Sequence, residues 1–204
     1  MTIEMKEILI SKAVTFARNS LGGDSSGHDW WHAYRVANLA KKIAQIEFAD
    51  EYICVLSALL HDIADEKLNE SKEKGLAKVE QWMTENLVES SCSNHVMNII
   101  STMSYRGGNN VPIQTLEGRI VQDADRLDAL GAIGIARTFA YAGWKGNILF
   151  DPDNSPDTAI QHFYDKLLKL KDLMNTEFAR TLAEERHQFM ELYLKQFYGE
   201  WNYN

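Results

Sequence analysis

The sequence predicts an all-α protein that folds as a single compact helical bundle. Apolar residues recur at spacings of three and four along most of the chain, and no segment alternates as a half-buried strand does. Only three prolines and 12 glycines interrupt the 204 residues, which suffice for one sizeable core. We therefore predict one domain over 1–204, with a core over about 25–140 and C-terminal helices over about 156–198 packing on it.

Helix start signals and apolar stripes assign the first part of the chain. Asp29 is a suitable N-cap for a helix containing His32, and Asp50 for a helix from Glu51 to about Glu66. Two more amphipathic segments follow, the second ending near Gly107-Gly108. The predicted buried faces of the four segments are Val36, Leu39 and Ile43; Ile53, Leu56, Leu60 and Ile63; Leu76, Val79, Met83 and Leu87; and Val96, Ile99, Ile100 and Met103.

The second part of the chain contains a further helix, a loop and two C-terminal helices. The helix begins near Leu116, and the loop is AGWKGNILFDPDNSP, residues 142–156, which is rich in turn formers. The predicted buried faces of the three helices are Ile120, Ala124, Leu127 and Leu130; Ile160, Phe163, Leu167, Leu170 and Met174; and Phe178, Leu182, Phe189 and Tyr193.

Composition excludes several classes of protein. A net charge of −8 argues against a surface for nucleic-acid polymers, which depends on clustered Lys and Arg. No apolar run approaches the roughly 20 residues of a membrane span, and the N-terminus lacks the pattern of a signal peptide. Cys54 and Cys92 form no CxxC pair, so a zinc-thiolate site is not expected. We expect a cytoplasmic protein without a membrane partner, whose oligomeric state stays open, a homodimer included.

Polar residues on apolar stripes mark the candidate site. His61-Asp62 ends the buried face of its predicted helix, where such a pair must be hydrogen-bonded, ion-paired or metal-bound. A buried histidine bonded to a neighbouring acid remains the alternative. His32 opens an apolar helical segment, and Asp125 lies within another. Two imidazoles and two carboxylates suit a borderline divalent ion.

The order His32, His61-Asp62, Asp125 resembles the H…HD…D signature of the HD-domain superfamily of metal-dependent phosphohydrolases. The flanking strings HDWWHAYRV, LLHDIADEK and QDADRLDALGAIGIARTF resemble stand-alone bacterial members, some of which are similar to nucleotide pyrophosphohydrolases. The resemblance implies an HD domain that binds one divalent ion through these four residues. The resemblance leaves the identity of the ion open among Mn, Mg, Co, Ni, Fe and Zn. Asp123 and Asp128 flank Asp125 and are either surface acids or auxiliary groups.

The resemblance also implies a function. The leading expectation is release of pyrophosphate from a nucleoside triphosphate by a metal-activated water, with another small phosphorylated compound as the broader substrate class. Phosphomonoesterase or phosphodiesterase activity is the alternative. A di-iron oxygenase needs two further histidines between the HD pair and Asp125, and only His95 lies there. A non-catalytic metal- or ligand-binding helical domain is the last alternative, although a complete ligand set favours catalysis.

Further residues are candidates for catalysis and substrate binding. The spacing HDIADE resembles the HDxxED arrangement of related hydrolases with its two acids exchanged, so Asp65 is the candidate base and Glu66 its alternate. A solvated helix end is the competing interpretation of both. The candidate substrate contacts are His28, Arg35, Lys67, Arg106 and Lys145. Arg35 could instead pair with an active-site acid, and the other four could be ordinary surface groups.

Overall fold

The computed structural model describes residues 1–22, 29–65, 68–103, 113–153 and 157–203. Every regular element within these ranges is a helix, which confirms the all-α class. Two 3-10 segments, His61–Ala64 and Leu167–Leu173, accompany the α-helices. The α-helices are α1 Ile3–Leu21, α2 Trp30–Glu47, α3 Glu51–Leu60, α4 Lys72–Glu85, α5 Ser90–Thr102, α6 Leu116–Asp128, α7 Gly131–Lys145, α8 Ala159–Asp165 and α9 Glu177–Asn202.

Contacts between the helices divide the chain into two compact units, which are described separately. The described residues up to Ala124 form the first unit, in which α2 packs extensively on α3. Those from Asp125 onward form the second unit, in which α9 packs on α7 and on the segment Leu167–Leu173. The single domain over 1–204 stays a prediction.

Local signals in the first unit act as the sequence predicts. The Asp29 side chain accepts a hydrogen bond from the His32 amide at 2.7 Å, and Asp50 accepts from the amides of Tyr52 and Ile53. Both predicted N-caps are therefore confirmed. The predicted apolar face of α3 is buried. Burying each such Leu or Ile side chain stabilises a fold by about 1.5–3 kcal/mol, which explains why α3 lies inside the unit.

Two helices of the first unit end earlier than predicted. The helix expected to reach Glu66 ends at Leu60 and continues as the 3-10 turn His61–Ala64. The chain turns away from the helix axis here: the Asn69 side-chain amide donates to the carbonyls of Ile63 and Asp65, and the Leu68 amide also donates to the Asp65 carbonyl at 3.1 Å. Leu87 is exposed rather than buried, since α4 ends at Glu85 and Leu87 follows in a left-handed conformation, φ 54°. The predicted stop at Gly107-Gly108 lies outside the described residues; α5 ends at Thr102.

The second unit differs from prediction at three places. The first residues of the predicted loop 142–156 are helical, since α7 continues to Lys145 and is stopped by Gly146 at φ 74°. The predicted helix with Ile160 and Met174 is broken at Lys166, where α8 gives way to a 3-10 segment. Phe189 on α9 is 49% exposed. The buried stripe of α9 instead consists of Ala179, Ala183, His187, Met190 and Leu194.

None of the helices in the described ranges combines the length and the hydropathy that crossing a bilayer requires.

Candidate metal centre

The site is built at the end of α3. His61 and Asp62 open the 3-10 turn His61–Ala64, and Asp62 is 4% exposed. Tight 3-10 turns of this kind redirect side chains relative to a continuing α-helix. His61 Nδ1 lies 2.7 Å from the carbonyl oxygen of Ala58 in the preceding turn. Nδ1 must carry a proton at that distance, because two lone pairs would repel each other, and this fixes the orientation of the imidazole ring.

The third residue of the site lies on α2. His32 lies in the first turn of this helix, which Asp29 caps, and its side chain is almost completely buried. The packing of α2 on α3 brings its ring to 5.5 Å from that of His61, centroid to centroid. Asp62 lies between the two rings: Oδ2 is 3.3 Å from His32 Nε2, and Oδ1 is 3.3 Å from His61 Nε2. One ligand atom from each residue lies within 4.8 Å of the others.

The donor set fits a divalent cation. With its proton on Nδ1, neutral His61 turns the lone pair of Nε2 toward a carboxylate oxygen, a repulsive arrangement unless a positive charge is shared between them. Either a second proton or a metal ion supplies that charge. Two atoms each about 2.1 Å from one ion, at octahedral or tetrahedral angles, lie about 3.0–3.4 Å apart. Each imidazole nitrogen lies 3.3 Å from a different oxygen of Asp62, and both separations fall in this range.

The three aspartates of α6 have different surroundings. Asp125 is half-buried and is the first residue of the second unit. Asp123 is completely buried in the first unit, and Asp128 is 4% exposed and pairs with Arg137 at 2.8 Å. Both flanking acids are therefore buried groups rather than surface acids. Asp125 remains the fourth ligand predicted from sequence order.

Three of the other candidate residues lie within the described part of the chain. Asp65 is half-buried directly after the His61–Ala64 turn, and its amide donates to the Asp62 carbonyl at 3.0 Å. Arg35 is half-buried one turn after His32 on α2. Lys145 is exposed at the end of α7, with its ammonium 5.1 Å from the ring centroid of Trp144. The candidates that lie outside the described residues are His28, Glu66, Lys67 and Arg106.

The sequence did not predict that Gly75 and Asn69 support the His61–Ala64 turn. Gly75 of α4 packs so closely on it that an added Cβ would lie 2.6 Å from the Ala64 carbonyl oxygen. Asn69 fastens the same turn through its bonds to Ile63 and Asp65, both 2.8 Å. The available signal was an isolated glycine inside an amphipathic helical pattern, which often marks close packing.

The chain is similar to known proteins over nearly its whole length. Residues 30–130 match the family model of the HD domain. The Bacillus subtilis protein YpgQ is 44% identical over 195 residues, which is 94% of each chain. The crystal structure of a Bacillus thuringiensis HD-superfamily hydrolase shares 50% identity and a TM-score of 0.82, covering 98% of this chain and 100% of that one. A crystal structure of YpgQ in complex with ADP has 41% identity and a TM-score of 0.82, covering 94% of this chain and 97% of that one.

The chain belongs to the HD-domain superfamily of metal-dependent phosphohydrolases.

Proposed function

We propose that the chain hydrolyses nucleoside triphosphates to nucleoside monophosphates and pyrophosphate in a reaction that depends on a divalent ion. The observation that carries this proposal is the convergence of His32, His61 and Asp62, whose ligand atoms lie within 4.8 Å of one another. A nucleotide is favoured as substrate because YpgQ, a close relative, has been crystallised with ADP. Monoesterase or diesterase activity is the alternative that the same site would support.

The proposed ligands are His32, His61, Asp62 and Asp125, the last resting on the order of the sequence motif. Their mixed nitrogen and oxygen donors suit Mn, Fe, Co, Ni or Zn, and Mg is included in the test. The ion, when bound, acidifies a water molecule and polarises a phosphoryl oxygen. The protein's own part is to hold the ligands rigidly: the Ala58 carbonyl orients His61, and the Asp29 cap fixes the turn that carries His32.

Asp65 is proposed to accept the proton of the attacking water, with Glu66 as the alternate. Its support is position: Asp65 follows Asp62 by one tight turn and is joined to it by a backbone hydrogen bond of 3.0 Å. Asp65→Asn keeps the side-chain volume but removes the basic carboxylate. We expect a loss of turnover of about 10²–10⁴-fold with metal content unchanged. Full turnover in this variant would exclude Asp65 as the base.

Arg35, His28, Lys67, Arg106 and Lys145 remain proposed contacts for the substrate phosphates. Arg35 follows His32 by one turn of α2, so the two residues share one side of that helix. An arginine can bind a phosphate through two parallel hydrogen bonds. Arg35→Lys should therefore raise KM for the triphosphate and leave metal content unchanged.

The deciding experiment supplies metal-stripped protein with Mn, Mg, Co or Ni in turn, over a panel of nucleotides, and measures phosphate and pyrophosphate separately. We expect pyrophosphate from triphosphates. His61→Ala and Asp62→Ala should lose both metal and turnover, whereas His162→Ala, the same change at an exposed histidine of the second unit, should lose neither. Failure to release phosphate or pyrophosphate from any substrate would refute the proposal.

The position of bond cleavage separates the proposed reaction from its alternatives. Attack of water on the α-phosphorus breaks its bond to the bridging oxygen, which leaves with pyrophosphate, so the water oxygen stays on the nucleoside monophosphate. In ¹⁸O-labelled water, mass spectrometry should find the label in the monophosphate. Label in pyrophosphate would indicate attack at the β-phosphorus. Phosphate released from a nucleoside monophosphate would indicate a phosphomonoesterase.

A further inference from the structure

The last turn of α6 carries Asp125, and its carbonyl groups need partners from outside the helix. The final four carbonyls of any α-helix lack an intrahelical amide. Two of these carbonyls accept hydrogen bonds from amides three residues later in the chain. The Arg126 carbonyl accepts from the Ala129 amide, and the Leu127 carbonyl accepts from the Leu130 amide, both at 3.1 Å. A turn closed only by such bonds is prone to fray.

Arginine side chains of the second unit hold this turn from two other helices. Arg186 of α9 donates through Nη1 to the carbonyl of Leu127. Arg137 of α7 donates to the Asp128 carboxylate at 2.8 Å and to the Asp128 carbonyl at 3.4 Å. Positive groups at a helix C-terminus also interact favourably with the helix dipole. Asp125 lies only two residues before Leu127, within the same turn.

The Arg186 side chain is packed within the second unit and does not lie freely on its surface. Its side chain is half-buried, and burial lowers the pKa of the guanidinium, an effect that Asp128 opposes. The aliphatic part of the Arg186 side chain packs against Gly131, whose φ is 71°. A Cβ added at Gly131 would lie 3.1 Å from Cγ and 3.2 Å from Cβ of that arginine. A side chain at residue 131 would thus be strained by its backbone conformation and would crowd the arginine stem.

We propose that Arg186 is a positioning residue: by holding the Leu127 carbonyl, it fixes the last turn of α6 and so the direction of the Asp125 carboxylate. This inference rests on the proposed function, in which Asp125 is a metal ligand. Arg186 acts through the backbone of α6 and takes no part in the chemistry.

The test measures Mn²⁺ affinity by isothermal titration, well below the midpoint of thermal unfolding, in Arg186→Met and Arg186→Lys. Groups that orient a metal ligand typically change affinity by about 10–100-fold, so Met should weaken Mn²⁺ binding by at least tenfold. Lys should weaken it less, because an ammonium still donates to one carbonyl. Arg180→Met is the control: it removes an arginine of the same helix that pairs with Glu177 at 2.9 Å on the surface.

A double-mutant cycle with Asp125→Asn separates positioning from general stabilisation. In the Asp125→Asn background, Arg186→Met should cause no further loss of Mn²⁺ affinity. An equal further loss, or a lowered unfolding midpoint with unchanged affinity in the single variant, would overturn the inference alone. If Asp125→Asn itself leaves Mn²⁺ affinity unchanged, the ligand assignment and the inference are both wrong. If Arg186→Met does not fold, Arg186→Lys decides the same outcomes.

Discussion

Replacing Gly75 with alanine tests how tightly α4 supports the turn that carries His61 and Asp62. The added Cβ would lie 2.6 Å from the Ala64 carbonyl oxygen, against the 3.4 Å at which ordinary contact begins, and 2.8 Å from both Ala64 Cα and Asn69 Nδ2. The nearest two of these atoms belong to the backbone, so they cannot rotate away. Relief requires either α4 or the His61–Ala64 turn to move.

Two opposing effects set the size of the change. Alanine favours a helix over glycine by about 1 kcal/mol, whereas forcing an extra methyl into a packed contact costs typically about 1–3 kcal/mol. The clash with backbone at Ala64 places Gly75→Ala toward the upper part of that range. We therefore expect a net loss of roughly 1–2 kcal/mol in the free energy of unfolding, together with weaker Mn²⁺ binding because the turn is displaced.

Urea unfolding followed by circular dichroism measures the stability, and isothermal titration measures the metal affinity. Gly143→Ala is the matched control: Gly143 lies in α7, nothing lies within 4 Å of its added Cβ, and the change should stabilise the fold by up to about 1 kcal/mol. The close-packing argument fails if Gly75→Ala is as stable as the wild type and binds Mn²⁺ equally well.

The remaining predictions concern buried titratable groups. Cys54 is fully buried, which raises the pKa of its thiol, whereas Cys92 is partly exposed; Ellman's reagent should modify only Cys92 in the native protein and both thiols after unfolding. Rapid labelling of a native Cys92→Ser variant would contradict this. Burial, aided by Cys92 and Asp50, raises the pKa of Tyr52 from 10.0 to about 12. The unfolded state therefore loses this proton first, and stability that is complete below pH 10 should fall by on the order of 2–3 kcal/mol as the pH approaches 12. The Tyr52→Phe variant should not lose this stability between pH 10 and 12, as measured by its urea midpoint. If the midpoint of the variant falls with pH as steeply as that of the wild type, Tyr52 is not the cause of the loss.

Local signals explain why much of the first unit could be predicted. Asp29 and Asp50 are N-caps because their short carboxylates reach the free amides of the following turn, an interaction contained within four residues. The buried face of α3 follows equally from spacing, because side chains three and four apart share one side of a helix. Neither inference needs information from distant parts of the chain.

The errors arose where distant residues decide the outcome. The turn that follows α3 is held by Asn69 and closely approached by Gly75, neither of which belongs to that helix. The predicted buried face of α9 included Phe189, which is exposed, and omitted Ala179 and Ala183, which are buried beside Met190 and Leu194. Small residues permit close helix packing, but their hydrophobicity is too weak to mark a face in the sequence.

The sequence by itself determined the all-α class, the caps of α2 and α3, and the ordered set of histidines and aspartates that identified the superfamily. These depend on residue type and short-range periodicity. Only the tertiary structure decided that His32, His61 and Asp62 meet, because their meeting requires α2 to pack on α3 and α3 to tighten into a 3-10 turn at His61. The ion pair between Asp128 and Arg137 and the hydrogen bond from Arg186 to the Leu127 carbonyl were likewise decided by the tertiary structure. Each of these pairings joins residues of two different helices, and packing rather than local preference selects them.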